Sequence, residues 1–232
     1  TAEFWLKVPN TSSNRFIFDI TGSGAGQIFM ALGAGDRFQM NMGTGSVATP
    51  GPFSVLDDVV DGAFNTWNHY AVTVLSSSAG LTYKGFKNGQ LKKTTVDGTR
   101  PLSAILPTTN GLNLTIATGS AIPGVGVDRL TGSIDEFRFW KKAKTTEEVY
   151  NSWFTAIGGG TNKHDSNVAL GLYFKFNEGI TTDTSLDSIA LDYSGRINNG
   201  TIVGYDTTMR STNSAITEKL GEPEFLDPII YS

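Results

Sequence analysis

Asp135 and Glu136 are the first side chains of this sequence to weigh as chemistry. Hydrolysis of a glycosidic bond uses two carboxyl groups facing one sugar, about 5–5.5 Å apart in the retaining mechanism. Neighbouring residues of a strand point to opposite faces, so this pair is expected to diverge, and no third acidic residue follows nearby. Nucleophilic catalysis is no better supplied. His69 lies inside a strand pattern and reads as structural, His164 falls in a polar stretch, and neither a G-x-S-x-G elbow nor a P-loop occurs. Gly22-Ser23-Gly24-Ala25-Gly26 has the glycines of a dinucleotide loop, but no helical pattern follows it, so it reads as a turn. Binding chemistry has more candidates. Aromatic rings in loops can stack on the apolar face of a pyranose, and Phe53, Phe64 and Tyr205 are placed for that role. Phe4, Trp67, Phe137 and Phe139 sit in strand registers and are expected in the core.

Such residues need a scaffold, and composition restricts which. Of 232 residues, 39% are hydrophobic and include 14 Phe, 7 Tyr and 4 Trp, enough to build a packed core without cross-links. Only 17% are charged while 27 are Gly, a balance that disfavours helical bundles and suits short strands joined by tight turns. The net charge of −4 argues against nucleic acid as a partner, and the one basic cluster, Lys141-Lys142 with Lys144, reads as solvated charge. Cysteine is absent, which excludes disulfides and thiolate chemistry and favours a cytosolic, bacterial or viral site of assembly. No apolar run approaches the ~20 residues of a membrane-spanning helix, so no membrane insertion is expected. Because the sequence opens mid-strand without Met, it reads as a portion of something longer.

Period-two segments dominate. Ala2, Phe4, Leu6 and Val8 share one face of a first strand; Arg15 to Ile20, Gln27 to Leu32 and Arg37 to Met42 follow. A Gly-, Thr- and Pro-rich loop then leads to Trp67 to Leu75, the strongest central run. Leu81 to Lys87 and Gln90 to Val96 flank Asn88-Gly89, whose residue types suit a type I′ hairpin. Asn113 to Thr118 and Ser133 to Trp140 bring the set to about nine strands, the pattern of a jelly-roll sandwich. One short helix is expected near 146–156, opened by a capping box of Thr145 and Glu148 and closed by Gly158-Gly159-Gly160. The organisation predicted is a sandwich over 1–157, a linker over 158–168 and, over 169–232, the start of a second β unit with an extended tail lying against a neighbour.

Three segments carry a family resemblance. Glu3-Phe4-Trp5-Leu6-Lys7; Trp67-Asn68-His69-Tyr70-Ala71 with Tyr83 and Lys87-Asn88-Gly89; and Gly132-Ser133-Ile134-Asp135-Glu136-Phe137-Arg138-Phe139-Trp140 with Ala143 and Thr145 stand in the order found in laminin-G-like domains. The chain resembles that concanavalin-A-like jelly-roll family over residues 1 to about 156, implying an all-β antiparallel sandwich. Hydrolases of that fold carry E-x-D-x-x-E on one strand, which Asp135-Glu136 does not match, so the resemblance implies a non-catalytic module. Several relatives hold calcium. By motif position Asp135 is the candidate ligand, with Asp128 and Asp19 as helpers; the alternative is that Asp135 caps a turn by accepting backbone N–H bonds.

Gly171-Leu172-Tyr173-Phe174-Lys175-Phe176-Asn177-Glu178-Gly179, then Asp192-Tyr193-Ser194-Gly195 and Asn199-Gly200-Thr201, look like the lead-in of another such unit. With Arg210 to Ile216 and Glu224 to Tyr231, they are similar to tandem-domain virion structural proteins of marine tailed phages. That resemblance implies a structural or adhesion module in a virion, assembled in the host cytoplasm with other virion subunits as a homo-oligomer and able to touch host-surface glycans. The alternative is a carbohydrate-binding module of a larger bacterial surface protein or secreted enzyme, located outside the cell.

Overall fold

The first strand, β1 (Ala2–Lys7), shows how the alternation is used. Ala2, Phe4 and Leu6 enter the main core, while Glu3 and Trp5, also buried, face away from it. The computed structural model describes residues 1–10, 14–22, 26–33, 35–44, 53–78, 80–98, 112–119, 129–158, 168–210 and 214–216. In it β1 is flanked on both sides, by β6 (Asn68–Ser77) and by β10 (Ser133–Trp140). β7 (Gly80–Lys87) and β8 (Gln90–Asp97) continue one side and β11 (Leu170–Phe174) the other, giving a six-stranded sheet of order β11-β10-β1-β6-β7-β8. The facing sheet has five strands in the order β5-β4-β3-β2-β9, from β2 (Arg15–Gly22), β3 (Gly26–Gly33), β4 (Arg37–Thr44), β5 (Phe53–Asp57) and β9 (Leu112–Ile116). All pairings are antiparallel. Phe4, Phe38 and Tyr70 meet edge-on or tilted between the sheets, with centroids 4.9 to 6.0 Å apart.

This is the antiparallel jelly-roll sandwich expected, with three local differences. β5 forms where the sequence predicts loop; it pairs with β4 and lies so close to β7 that a Cβ on Gly85 would come within 2.1 Å of the Val55 carbonyl oxygen. Trp67 precedes β6 rather than entering the core, and the Lys7 ammonium lies 5.1 Å over its ring. The helix α1 (Thr146–Ser152) has the expected capping box, with Glu148 N donating to Thr145 Oγ1 at 3.1 Å and Thr145 N to Glu148 Oε2 at 2.8 Å. It stops well before the glycines. Arg138 of β10 donates to the carbonyls of Ser152 (3.4 Å) and Thr155 (2.7 Å), meeting acceptors that the helix end leaves open.

Leu170–Phe174, placed by sequence after a linker, adds to the outer edge of β10, with Arg138 opposite Tyr173 and Phe139 opposite Leu172. Beyond it, α2 (Thr184–Asp187) and the two-residue strands β12 (Ile189–Ala190) and β13 (Gly200–Thr201) return over the sandwich end, where Phe174 and Ala190 join the main core. Asp128 and residues 217–232 lie outside the described residues.

Candidate functional site

The motif residues converge on the face of the six-stranded sheet that α1 covers. Glu3 and Trp5 of β1, His69 and Ala71 of β6, Phe86 of β7, and Glu136, Arg138 and Trp140 of β10 are all buried. Val149 of α1 packs on Ala71 and Phe86. Trp153 lies 5.7 Å from Trp5 and 6.1 Å from His69, and it reaches over Gly89 so closely that a Cβ there would meet its ring at 2.3 Å. Gly89 (φ 75°) and Asn88 (φ 48°) form the expected hairpin turn, so one glycine serves both turn and helix docking.

Buried charge is balanced within this layer. Glu3 pairs with Lys144 through Oε1, and its Oε2 lies 3.7 Å from Arg138 Nη1 and 4.0 Å from His69 Nε2. Arg138 Nη2 donates to Glu136 Oε2 at 2.8 Å, and the Tyr173 hydroxyl donates to the same oxygen. Lys144 Nζ also reaches Ser152 Oγ at 2.6 Å. Two carboxylates thus meet two cations, the arrangement that buried charges require. Burial alone would raise the Glu3 carboxyl, but the Lys144 and Arg138 cations hold it below its ordinary range. Burial drives His69 down to about 3, so its imidazole is neutral at pH 7. Lys144, read from sequence as solvated, is among the buried residues because its partner Glu3 lies 141 residues away in sequence.

Asp135 and Glu136 do not diverge as alternation predicts. Glu3 pairs with Arg138 but Trp5 with Asp135, so Glu136 and Phe137 both stand opposite Phe4, and Glu136 takes a φ of 52°. This β-bulge puts both acidic residues on the helix-covered side, each under 8% exposed. Asp135 Oδ1 accepts from Glu136 N (2.9 Å), and Oδ2 from Ala215 N (2.7 Å) and Ser214 Oγ (3.2 Å). It is the capping carboxylate of the alternative reading. Burial, reinforced by the neighbouring Glu136, pushes it up to about 6. Asp19 lies on the other sheet, where Gln27 Nε2 donates to it at 2.9 Å. Among the described residues no three His, Cys, Asp or Glu side chains gather around a cation position. Asp135 and Asp19 thus lie on different sheets and are not brought together, and no chemistry below is routed through calcium.

The aromatic candidates also separate. Phe53 opens β5 rather than lying in a loop, and its ring packs 4.6 Å from Tyr83 against the core. Tyr205 has a buried hydroxyl, and the Arg210 guanidinium lies 5.9 Å over its ring. Phe64 is 45% exposed and adjoins Ala63, a residue of the groove described next.

That groove, of about 730 Å³, runs between the segment after β5 and the β7–β8 hairpin. Asp57, Asp58 and Asp61 line it from the first element, and Lys87, Asn88, Gln90, Lys92 and Lys93 from the second. Asp57 pairs with Lys93 at 2.7 Å, a bond that together with Ser54 holds its carboxyl below the usual range. The Asp58 and Asp61 side chains form no ion pair among the described residues, leaving acceptors opposite lysine and amide donors. Their loop is fixed from beneath. Asp36 accepts from Val60 N (2.7 Å) and Asp61 N (3.0 Å), and the Tyr70 hydroxyl donates to the Val59 carbonyl at 2.6 Å. Asp58, Asp61 and Asn65 all take positive φ (52°, 54° and 59°), where Asp and Asn are among the tolerated residues. Sequence reading missed this groove, because its two sides lie some thirty residues apart and only the run Asp57-Asp58 with Asp61 hinted at it.

Sandwich, signature layer and rim groove define a concanavalin-A-like module whose motif residues are architectural. The chain belongs to the concanavalin A-like lectin/glucanases superfamily, whose laminin-G-like model matches residues 1–150. A candidate carbohydrate-binding protein from Bacteroides ovatus ATCC 8483 shares the fold, with a TM-score of 0.54 and 20% identity over 86% of this chain and 50% of that one. The binding domain of botulinum neurotoxin serotype D aligns at a TM-score of 0.44 and 16% identity over 66% of this chain and 34% of its own. The chain thus spans half the length of the first and about a third of the second. No relative was found among the curated proteins.

Proposed function

We propose that this chain is a non-catalytic carbohydrate-binding module that holds a hydroxyl-rich ligand in the rim groove. The observation that carries this reading is the groove's placement of acceptors (Asp58, Asp61), on a loop whose backbone is held at Val60 and Asp61, opposite donors (Lys87, Lys92). Sugar hydroxyls donate and accept at once, and a rim that does both matches them without net charge. A fixed loop also lowers the ordering cost of binding. The superfamily's lectins and the candidate carbohydrate-binding protein of B. ovatus point the same way. The non-catalytic reading is supported by Asp135 and Glu136, which are buried and committed to protein partners rather than facing a cleft. The test is a glycan array followed by titration calorimetry. Asp58→Asn with Asp61→Asn should lower affinity at least tenfold, about 1.4 kcal/mol, without changing Tm. A blank array, or undiminished binding by the double variant, would sink the reading.

We further propose that the module serves in a tailed-phage virion, on the strength of the motifs from Gly171 to Tyr231 and the cysteine-free composition. Immunogold labelling of purified particles should mark the chain. Label confined to bacterial envelope fractions would instead favour the surface-protein alternative.

A further inference from the structure

We infer that the rim groove selects a zwitterionic glycan, one whose sugar units carry an ammonium and an anionic group (carboxylate, sulfate or phosphate) side by side. The inference rests on the carbohydrate-binding reading and adds to it the charge class of the ligand.

The groove is electrically divided. One wall presents Asp57, Asp58 and Asp61, and the other presents Lys87, Lys92 and Lys93. Asp57 and Lys93 cancel directly, at 2.7 Å. Lys87 Nζ reaches the Asp58 backbone carbonyl at 3.4 Å, and Lys92 Nζ the neutral Gln90 Oε1 at 2.8 Å. Among the described residues, Asp58 and Asp61 on one wall and Lys87 and Lys92 on the other are thus left without an ionic partner.

The basic wall departs from strand alternation in a way that serves the groove. Consecutive residues of β8 should face opposite sides, so Lys92 and Lys93 should not share a site. The β7–β8 register shifts between Gly85 and Phe86, however. Lys93 stands opposite Gly85 and Leu91 opposite Phe86, which makes Lys92 the extra residue. This β-bulge lets both lysines line the groove, and bulges concentrate next to active sites, where they re-aim a side chain. The hairpin turn that precedes β8 is anchored on β6. Asn88 Nδ2 donates to Asn68 Oδ1 at 2.9 Å, and His69 N donates to Asn88 Oδ1 at 2.8 Å.

Charge then decides between ligands. A neutral sugar between the walls gains hydrogen bonds but leaves both sets of charges unpaired. A purely cationic glycan meets Asp58 and Asp61 but sets its ammonium against Lys87 and Lys92, and a purely anionic one does the reverse. Like-charge contacts of this kind suppress wrong partners. A zwitterion laid across the groove pairs on both walls. The Asp57–Lys93 bond is no barrier to it, because both side chains are partly exposed and such a surface pair contributes little.

The test titrates the full chain, by calorimetry at low salt, with four tetrasaccharides of matched size. They are chitotetraose (neutral), its de-N-acetylated form (cationic), heparosan (anionic) and de-N-acetylated heparosan (zwitterionic). The zwitterion should bind about tenfold or more tightly than each of the others, and added NaCl should narrow the gap. Lys92→Gln should weaken the zwitterion more than the neutral sugar, with Tm unchanged. Equal affinity for the neutral or for either singly charged tetrasaccharide would overturn the proposal and leave the carbohydrate-binding reading standing. If none of the four binds, the charge of the hits on the glycan array decides. Zwitterionic hits uphold the proposal, neutral or singly charged hits overturn it alone, and a blank array removes both it and the reading beneath it.

Discussion

Arg138 Nη2 lies 2.8 Å from Glu136 Oε2, and this pair joins three elements that the sequence keeps apart. The same guanidinium terminates α1 at Ser152 and Thr155 and faces Glu3 of β1, while the same carboxylate receives Tyr173 of β11. The bulge at Glu136 makes the junction possible by adding one residue to β10 opposite Phe4.

Replacing the arginine alone should therefore be expensive. Arg138→Met removes the cation beside Glu136, leaves Glu3 to Lys144, and takes away the guanidinium bonds to the Ser152 and Thr155 carbonyls. Removing one partner of a buried pair costs about 3–5 kcal/mol, so urea denaturation should show an unfolding free energy lowered by that amount. Adding Glu136→Gln should recover part of the loss, because one uncompensated charge disappears. A loss under about 1 kcal/mol, the range of an exposed pair, would show that the cluster is solvated.

Acid stability should divide between two residues of opposite sign. His69 is depressed to about 3, from an ordinary value of 6.5 in the unfolded chain. Its contribution is complete above pH 6.5 and is lost as pH falls toward 3, at a limiting slope of about 1.4 kcal/mol per unit. Asp135 is raised to about 6 from 3.8, so its contribution is complete below 3.8 and is lost as pH rises through 6. Between pH 4 and 6 the two oppose each other. Relative to wild type over this window, unfolding free energy from denaturant titrations should fall more with rising pH in His69→Gln and rise more with rising pH in Asp135→Asn. Parallel curves for all three proteins would refute both assignments.

Much of this was legible in the sequence where a residue type has only one place to go. Alternating Ala2, Phe4 and Leu6 must face a core, Thr145 and Glu148 at capping spacing must open a helix, and Asn88-Gly89 must turn. The remainder depends on partners distant in sequence. Glutamate at positive φ carries no signal, so the bulge at Glu136 was invisible, and with it the side on which Asp135 and Glu136 fall. Lys144 looked solvated because Glu3, which buries it, is at the other end of the domain. β5 depends on Gly85 of β7 permitting close approach, and the groove exists only when Asp58 and Lys92 are brought to one rim.

Gly89 offers the sharpest test of how the helix docks. At φ 75° any L side chain is strained, by roughly 1–2 kcal/mol. Gly62 has nearly the same φ, 72°, but open space where a Cβ would be, whereas a Cβ on Gly89 would lie 2.3 Å from Trp153 Cδ1. Gly62→Ala should therefore show the backbone cost alone. Gly89→Ala should lose about 1–3 kcal/mol more, the range of an overpacked core site, because Trp153 is held against Trp5 and His69 and has little room to yield. The excess should vanish in a Trp153→Ala background, where both glycines would cost the same. Equal losses in the native background would mean that Trp153 moves aside freely, and that α1 is not seated through this turn.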